Sequence, residues 1–190
     1  MARFTIFGAG NMGGAIGSVL TDGGSTVTHI THEQGSTIDG DVVILAVPYH
    51  AVSDIIATYG DQLKGKVVVD ITNPLNFETF DSLVVPVGSS AAAEIAAKLP
   101  DSHVLKAFNT NFAATLASKK VGALQTTVLV AGADDAAKQL LVTAVEAGGV
   151  SAIDVGSLSR AHELEALGFL QLTLAVGEKL PWTGGFAVAS

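Results

Sequence analysis

Short apolar runs alternate along the chain with longer stretches whose apolar positions recur every three or four residues. Runs that predict strands cover residues 3–7, 26–30, 42–46, 66–70, 103–108, 126–131 and 151–155. Most are unbroken Val/Ile/Leu runs rather than alternating ones, which is the pattern of strands covered by helices on both faces. Between them, Val52, Ile55, Ile56, Tyr59 and Leu63 sit at helical spacing in residues 51–63, and Gly65 follows. Residues 90–99 are alanine-rich and stop at Pro100. Residues 134–146 begin with an acidic turn and end at Gly148 and Gly149, which suits both ends of a helix. A last helix is predicted over 159–177, with Leu164, Leu167, Leu170 and Leu174 as its apolar side. The tail, 181–190, reads as irregular, with Trp182 and Phe186 packing back on the body.

Strand and helix in alternation predict an α/β fold, a doubly wound and mostly parallel sheet with a short C-terminal helix appendage. Residues 1–156 form the sheet unit, and 157–190 form a helix and tail that pack on it as one compact body. The segment 31–40 between the second and third strand signals is too short for the usual helix and extra strand, so an abbreviated crossover is expected there.

The first strand runs directly into Gly8-Ala9-Gly10-Asn11-Met12-Gly13, and a helical pattern with Met12, Ile16, Val19 and Leu20 on one face follows. Strand, G-x-G-x-x-G and helix in that order are the context of a dinucleotide fingerprint. Gly8 permits the tight turn, Gly10 lets the backbone approach a pyrophosphate, and Gly13 lets the helix pack closely on the strand. Free N–H groups at the helix start then face the phosphates. Together they predict a Rossmann fold that binds NAD or NADP.

The next strand ends separate those two cofactors and frame the rest of the crevice, because ligands in such sheets lie beyond the carboxyl ends of the strands. An NAD site places Asp or Glu at the end of the second strand. Here the chain reads His29-Ile30-Thr31-His32-Glu33. Thr31 and His32 offer donors to a 2′-phosphate, so NADP (NADPH) is the expected cofactor. After the third strand, Ala46-Val47-Pro48-Tyr49 borders the same crevice, with Tyr49 placed to flank a ribose or ring. After the fourth, Asn73 stands beside Pro74, its amide near the nicotinamide ribose. After the fifth, Lys106, Asn109, Thr110 and Asn111 either line the nicotinamide and substrate end or cap the short helix that follows.

Composition narrows the partners. A net charge of −8 argues against nucleic acid and anionic membrane surfaces. With no cysteine there is no thiolate nucleophile, disulfide or Cys-ligated metal. No leader pattern or span-length apolar run is evident, so a cytoplasmic protein without a membrane partner is expected. The five histidines are scattered, and no acid–base or metal-ligand spacing appears. Reduction of a carbonyl or imine wants a positioned proton donor. Hydride exchange between a nicotinamide and a flavin-like ring wants mainly two rings held face to face.

The fingerprint, Ala46-Val47-Pro48, Asp70-Ile71-Thr72-Asn73-Pro74, Lys106-Ala107-Phe108-Asn109-Thr110, Val130-Ala131-Gly132-Ala133-Asp134-Asp135 and residues 154–165 occur in one order. In that order they resemble the NADP oxidoreductases dependent on the deazaflavin coenzyme F420, over nearly the whole chain to about Gly177. The resemblance implies NADP in the crevice and hydride transfer to or from a second ring stacked on the nicotinamide. It puts Thr31 and His32 where the family's Ser-Arg pair grips the 2′-phosphate. It maps the nicotinamide region onto Asn73, Asn109 and Thr110. The second substrate is then a flavin, deazaflavin, quinone or other small electron acceptor or donor. A similar domain serves membrane metalloreductases. A homodimer is expected on family analogy. Two other readings stand beside this one: a non-catalytic NADP-binding module or redox sensor, and an imine reductase of the pyrroline-carboxylate type, which shares the G-x-G-x-M-G start.

Overall fold

The computed structural model describes residues 2–31 and 35–189. His32 of the predicted phosphate grip lies outside these residues. Seven strands form one sheet in the order β2-β1-β3-β4-β5-β8-β9. The first five are β1 (Arg3–Phe7), β2 (Thr26–Ile30), β3 (Val42–Leu45), β4 (Val67–Asp70) and β5 (His103–Lys106). The last two are β8 (Thr127–Gly132) and β9 (Ser151–Gly156). All neighbours run parallel except β5 and β8, which pair antiparallel through Leu105–Gly132 and Lys106–Ala131.

β1 lies between β2 and β3, so the strand order reverses at its carboxyl end and opens the crevice the fingerprint needs. The chain passes from β2 to β3 over residues 31–41, and among the described residues the sheet has no strand outside β2. This is the abbreviated crossover that the segment's length predicts.

The continuous apolar runs are double-sided, as expected. Phe4, Ile6, Val42, Ile44, Val67 and Val69 face one layer, with Ile16, Val19, Leu20, Leu116, Leu141 and Val145. These come from helices α1 (Asn11–Asp22), α4 (Ala113–Ser118) and α5 (Asp135–Ala147). The alternate positions Phe7, Val43, Leu45, Val68 and Val104 face the other layer, with Val52, Tyr59, Leu63, Ile95 and Leu99. These come from or adjoin α2 (Val52–Leu63) and α3 (Ala91–Lys98). The period-2 geometry of a strand sends neighbouring residues to opposite layers, so both must be apolar.

Two features depart from the sequence expectation. A small hairpin, β6 (Lys120–Val121) and β7 (Leu124–Gln125), precedes β8; its strands are too short to show an apolar period. The last helix, α6 (Ala161–Val176), does not bury a leucine stripe. Its buried residues are Ala161, Leu164, Glu165, Gly168, Gln171 and Ala175, whereas Leu170 is half exposed. Small and polar side chains occupy the inner side because α6 lies against the polar strand-end loops rather than the apolar core. Trp182 does pack back, its ring 4.9 Å from that of Phe112.

Candidate active site

The fingerprint glycines differ in what surrounds them. Gly8 has φ +102°, and a Cβ there would lie 2.3 Å from the Ala46 carbonyl oxygen, so both backbone and space require glycine. A Cβ on Gly13 would lie 2.4 Å from the Gly8 oxygen, which is the close helix–strand approach. At Gly10 a Cβ would meet nothing within 4 Å. The first two glycines are demanded by the protein's own packing. Gly10 is not, and its freedom is useful only to something that approaches the loop from outside.

Three contacts pin the turn. Gly8 N–H donates to Ile30 O at 2.9 Å, and Ala46 N–H donates to Phe7 O at 2.9 Å. His29 on β2 reaches across, its Nδ1 3.0 Å from Gly8 O. A carbonyl only accepts, so Nδ1 carries the proton. Gly17 makes room for this ring, since a Cβ there would lie 2.9 Å from His29 Nε2. Helix α1 then starts with Gly10 as its N-cap, with no side-chain cap and no acidic residue in its first turn. Its orphan N–H groups and positive dipole end are left for an anion.

A cavity of about 920 Å³ opens at this loop. Ala9, Gly10, Asn11, Met12 and Ser18 line it from the α1 side, and Asn73, Asn109 and Asn111 from the ends of β4 and β5. Phe108, Phe112, Leu172 and Trp182 supply its apolar wall. Phe108 has φ 62° while fully buried. That is a strained conformation for a bulky residue, of the kind that collects at ligand sites. Among the described residues, no Asp, Glu, His, Lys, Arg or Tyr lines the cavity.

The strand-end asparagines are fixed by hydrogen bonds, Asn73 and Asn109 to each other and Asn111 separately. Asn73 Nδ2 donates to Asn109 O at 2.8 Å. Asn109 Nδ2 donates to Asn73 Oδ1 at 3.0 Å and to Leu164 O on α6 at 2.8 Å. Asn111 Nδ2 donates to Thr127 O at 3.0 Å. The carboxamide oxygens of Asn109 and Asn111 are buried with no hydrogen-bond partner among the described residues. Acceptors of this kind call for an N–H or O–H from elsewhere, and a carboxamide or ribose hydroxyl carries such donors.

The structure thus brings Gly10, Asn11, Met12, Asn73 and Asn109 of the predicted set to one cavity, with Gly8, Gly13, Ala46 and Val47 packed behind its glycine wall. Pro48 leads into the helical turn Tyr49–Ala51, and the Tyr49 hydroxyl donates to Glu94 on α3. Burial and the Glu94 carboxylate push that phenol's pKa up. Thr31 is exposed just beyond β2. Thr110 is buried off the cavity wall, its carbonyl accepting from Gln171 Nε2 at 3.1 Å. The capping alternative for the β5 loop does not hold, since Phe112 is the N-cap of α4 and offers no side-chain bond.

Lys106 also departs from expectation. Its position at a strand end suggested a cavity residue, yet its side chain is 0% exposed. The ammonium sits 2.8 Å from Asp70 Oδ2 and 2.8 Å from Glu165 Oε1, and donates to Thr72 O. Glu165 in turn accepts from the N–H groups of Ala91 (2.9 Å) and Ala92 (3.3 Å), so a side chain of α6 serves the N-terminus of α3. Burial pushes the Glu165 carboxyl pKa up, against the pull of Lys106. Sequence reasoning missed Glu165; its place beside Leu164, on the apolar side of the last predicted helix, was the available signal.

Comparison with known proteins agrees with this geometry. Residues 23–74 match the family model of NADP oxidoreductases, coenzyme F420-dependent. The chain is 34% identical over 150 residues to the F420-dependent NADP reductase of Methanocaldococcus jannaschii, across 77% of this chain and 67% of that protein. It is 31% identical over 143 residues to metalloreductase STEAP3 of Rattus norvegicus, covering 75% of this chain but 28% of that one. An Arthrobacter sp. crystal structure assigned as an F420-dependent NADP reductase superposes with a TM-score of 0.86 at 22% identity, over the whole of both chains. The glycine-turn crevice and the extent of the archaeal match lead to one conclusion: this chain belongs to the coenzyme F420-dependent NADP oxidoreductase family and is an NADP-dependent oxidoreductase.

Proposed function

We propose that this protein binds NADPH along the Gly8–Gly13 loop and exchanges a hydride between its nicotinamide and a flavin-like, deazaflavin or quinone acceptor. The observation that carries the reading is the cavity wall, on which the described residues place amides, one hydroxyl and aromatic rings but no titratable side chain. A site of that composition can hold and orient two rings, but it offers no general acid for a carbonyl or imine. When bound, the nicotinamide supplies the two-electron hydride, and the acceptor ring takes it with one solvent proton. Gly10 and the α1 N-terminus would receive the pyrophosphate. Asn73 and Asn109 would hold the nicotinamide riboside, and Ala46, Val47, Pro48 and Tyr49 would border the adenosine half. Thr31 and His32 would meet the 2′-phosphate.

The reading extends to a cytoplasmic setting and a homodimer. Among the described residues no helix is long and apolar enough to cross a membrane. The exposed Leu170, Val176, Phe186 and Val188 support self-association, which sedimentation equilibrium would measure. The central test follows NADPH oxidation at the nicotinamide absorbance with flavin, deazaflavin and quinone acceptors. Turnover with a ring acceptor and a preference for NADPH over NADH are expected. Tight NADPH binding without turnover of any of them would refute the acceptor assignment.

A further inference from the structure

The sole tryptophan of the chain, Trp182, is held at the cavity mouth from both sides. Helix α6 ends at Val176, and Glu178 takes a left-handed conformation with φ 57°. Leu174 O then accepts from the N–H groups of Lys179 (2.9 Å) and Leu180 (3.2 Å). A turn closed by Gly184 N–H on Pro181 O at 2.8 Å carries Trp182 at its second position. Beyond the turn, Phe186 N–H donates to Gln171 Oε1 at 3.1 Å. Gln171 is 1% exposed and anchors its other end on Thr110 O, in the β5 loop that bears Asn109 and Asn111. The tail is therefore tied to the same loop that forms the polar wall.

The indole is not buried by this arrangement. Trp182 remains 52% exposed, tilted at 50° on Phe112 and lining the cavity with Phe108 and Leu172. A tryptophan recruited only to seal the core would lose its surface; this one is fixed in place with a large part of its surface free. Aromatic faces are sequence-tolerant platforms for planar conjugated rings, which they bind by stacking and apolar contact.

We infer that Trp182 is the stacking platform for the planar ring of the second substrate, positioned by Gln171, and that it sets the preference of the site for flat conjugated acceptors. The inference rests on the proposed ring-to-ring hydride exchange and deepens it. It requires the platform to act on the second ring and not on the dinucleotide.

The test uses lumiflavin, a flavin ring with no tail, and the full chain saturated with NADP+ so that no reduction occurs. Its dissociation constant is measured by equilibrium dialysis for the wild type, Trp182→Phe and Trp182→Leu. Leucine keeps apolar bulk on Phe112 but removes the aromatic face. The expected result is at least tenfold weaker lumiflavin binding for Trp182→Leu and recovery to within threefold for Trp182→Phe. NADPH affinity should stay within twofold in all three, which also reports that the variants are folded. In turnover, Trp182→Leu should raise the acceptor KM by a similar factor while the NADPH KM holds. Equal lumiflavin affinity in all three proteins, or no lumiflavin binding by the wild type, overturns the platform. Aromatic-dependent lumiflavin binding without turnover of any ring acceptor keeps the platform and refutes the hydride-exchange reading. Turnover with an unchanged acceptor KM in Trp182→Leu does the reverse.

Discussion

Replacing Lys106 by methionine removes the cation from a buried cluster that also contains Asp70 and Glu165. At 2.8 Å and an effective dielectric of about 20, each contact amounts to ~6 kcal/mol of gross attraction. Desolvation of the three ions offsets much of this, by several kcal/mol per ion. Loss of the cation is nevertheless severe, because it leaves two carboxylates buried together without their partner and frees the Thr72 carbonyl. The expected destabilisation is about 3–5 kcal/mol, against a total stability of about 5–15 kcal/mol. Urea unfolding at pH 7 measures it.

The pH dependence supplies a second, independent readout. In the wild type, Lys106 holds down a Glu165 pKa that burial and Asp70 raise. In Lys106→Met the Ala91 N–H still lowers that pKa, but burial and Asp70 raise it without the opposition of the ammonium. A group whose folded pKa lies above its unfolded value favours the folded state below that unfolded value, and the benefit is lost as pH rises through the folded one. The deficit of Lys106→Met should therefore shrink as pH falls from 8 towards 5. The double variant Lys106→Met/Glu165→Gln should recover part of the loss. A deficit under about 1 kcal/mol, or one that does not change with pH, would refute the buried-cluster account.

Gly10→Val should fold, losing no more than about 1 kcal/mol at the α1 N-cap because a side chain there meets nothing within 4 Å, yet lose at least a hundredfold in NADPH affinity by titration. Gly8→Ala should instead lose stability first, because its Cβ would lie 2.3 Å from Ala46 O at a φ of +102°. Ser90 caps α3 by accepting from Ala93 N–H at 3.1 Å, so Ser90→Ala should lower stability by about 1 kcal/mol in urea. Asp154 is held below the ordinary carboxylate pKa by Lys138, against burial, with help from the Gly156 N–H. Its contribution is present above the unfolded value of 3.8 and disappears as pH falls through the lower folded value. Asp154→Asn should accordingly flatten the acid limb of a thermal-midpoint profile between pH 5 and 3; an unchanged limb would place the acid sensitivity elsewhere.

Features of this protein that depend on near neighbours were legible in its sequence. A strand buried on both faces is apolar along its length, so Val42–Leu45 and the run Val67, Val68 and Val69 could be read directly. The glycine turn could be read because Gly8 φ and the Gly13 approach are satisfied within a few residues of each other. The abbreviated crossover from β2 to β3 followed from the length of that segment alone. Tertiary structure decided what depends on partners far away in sequence. Glu165 finds Lys106 and the α3 N-terminus, Gln171 joins Thr110 to Phe186, and Asn109 reaches Leu164. No periodicity forecasts such bonds, and the apolar run of α6 suggested a leucine-faced helix. A buried polar group is tolerated only where a partner meets it. That partner is supplied by the packing of α6 on the strand ends, so the cavity wall and the setting of Trp182 could be known only once the chain was folded.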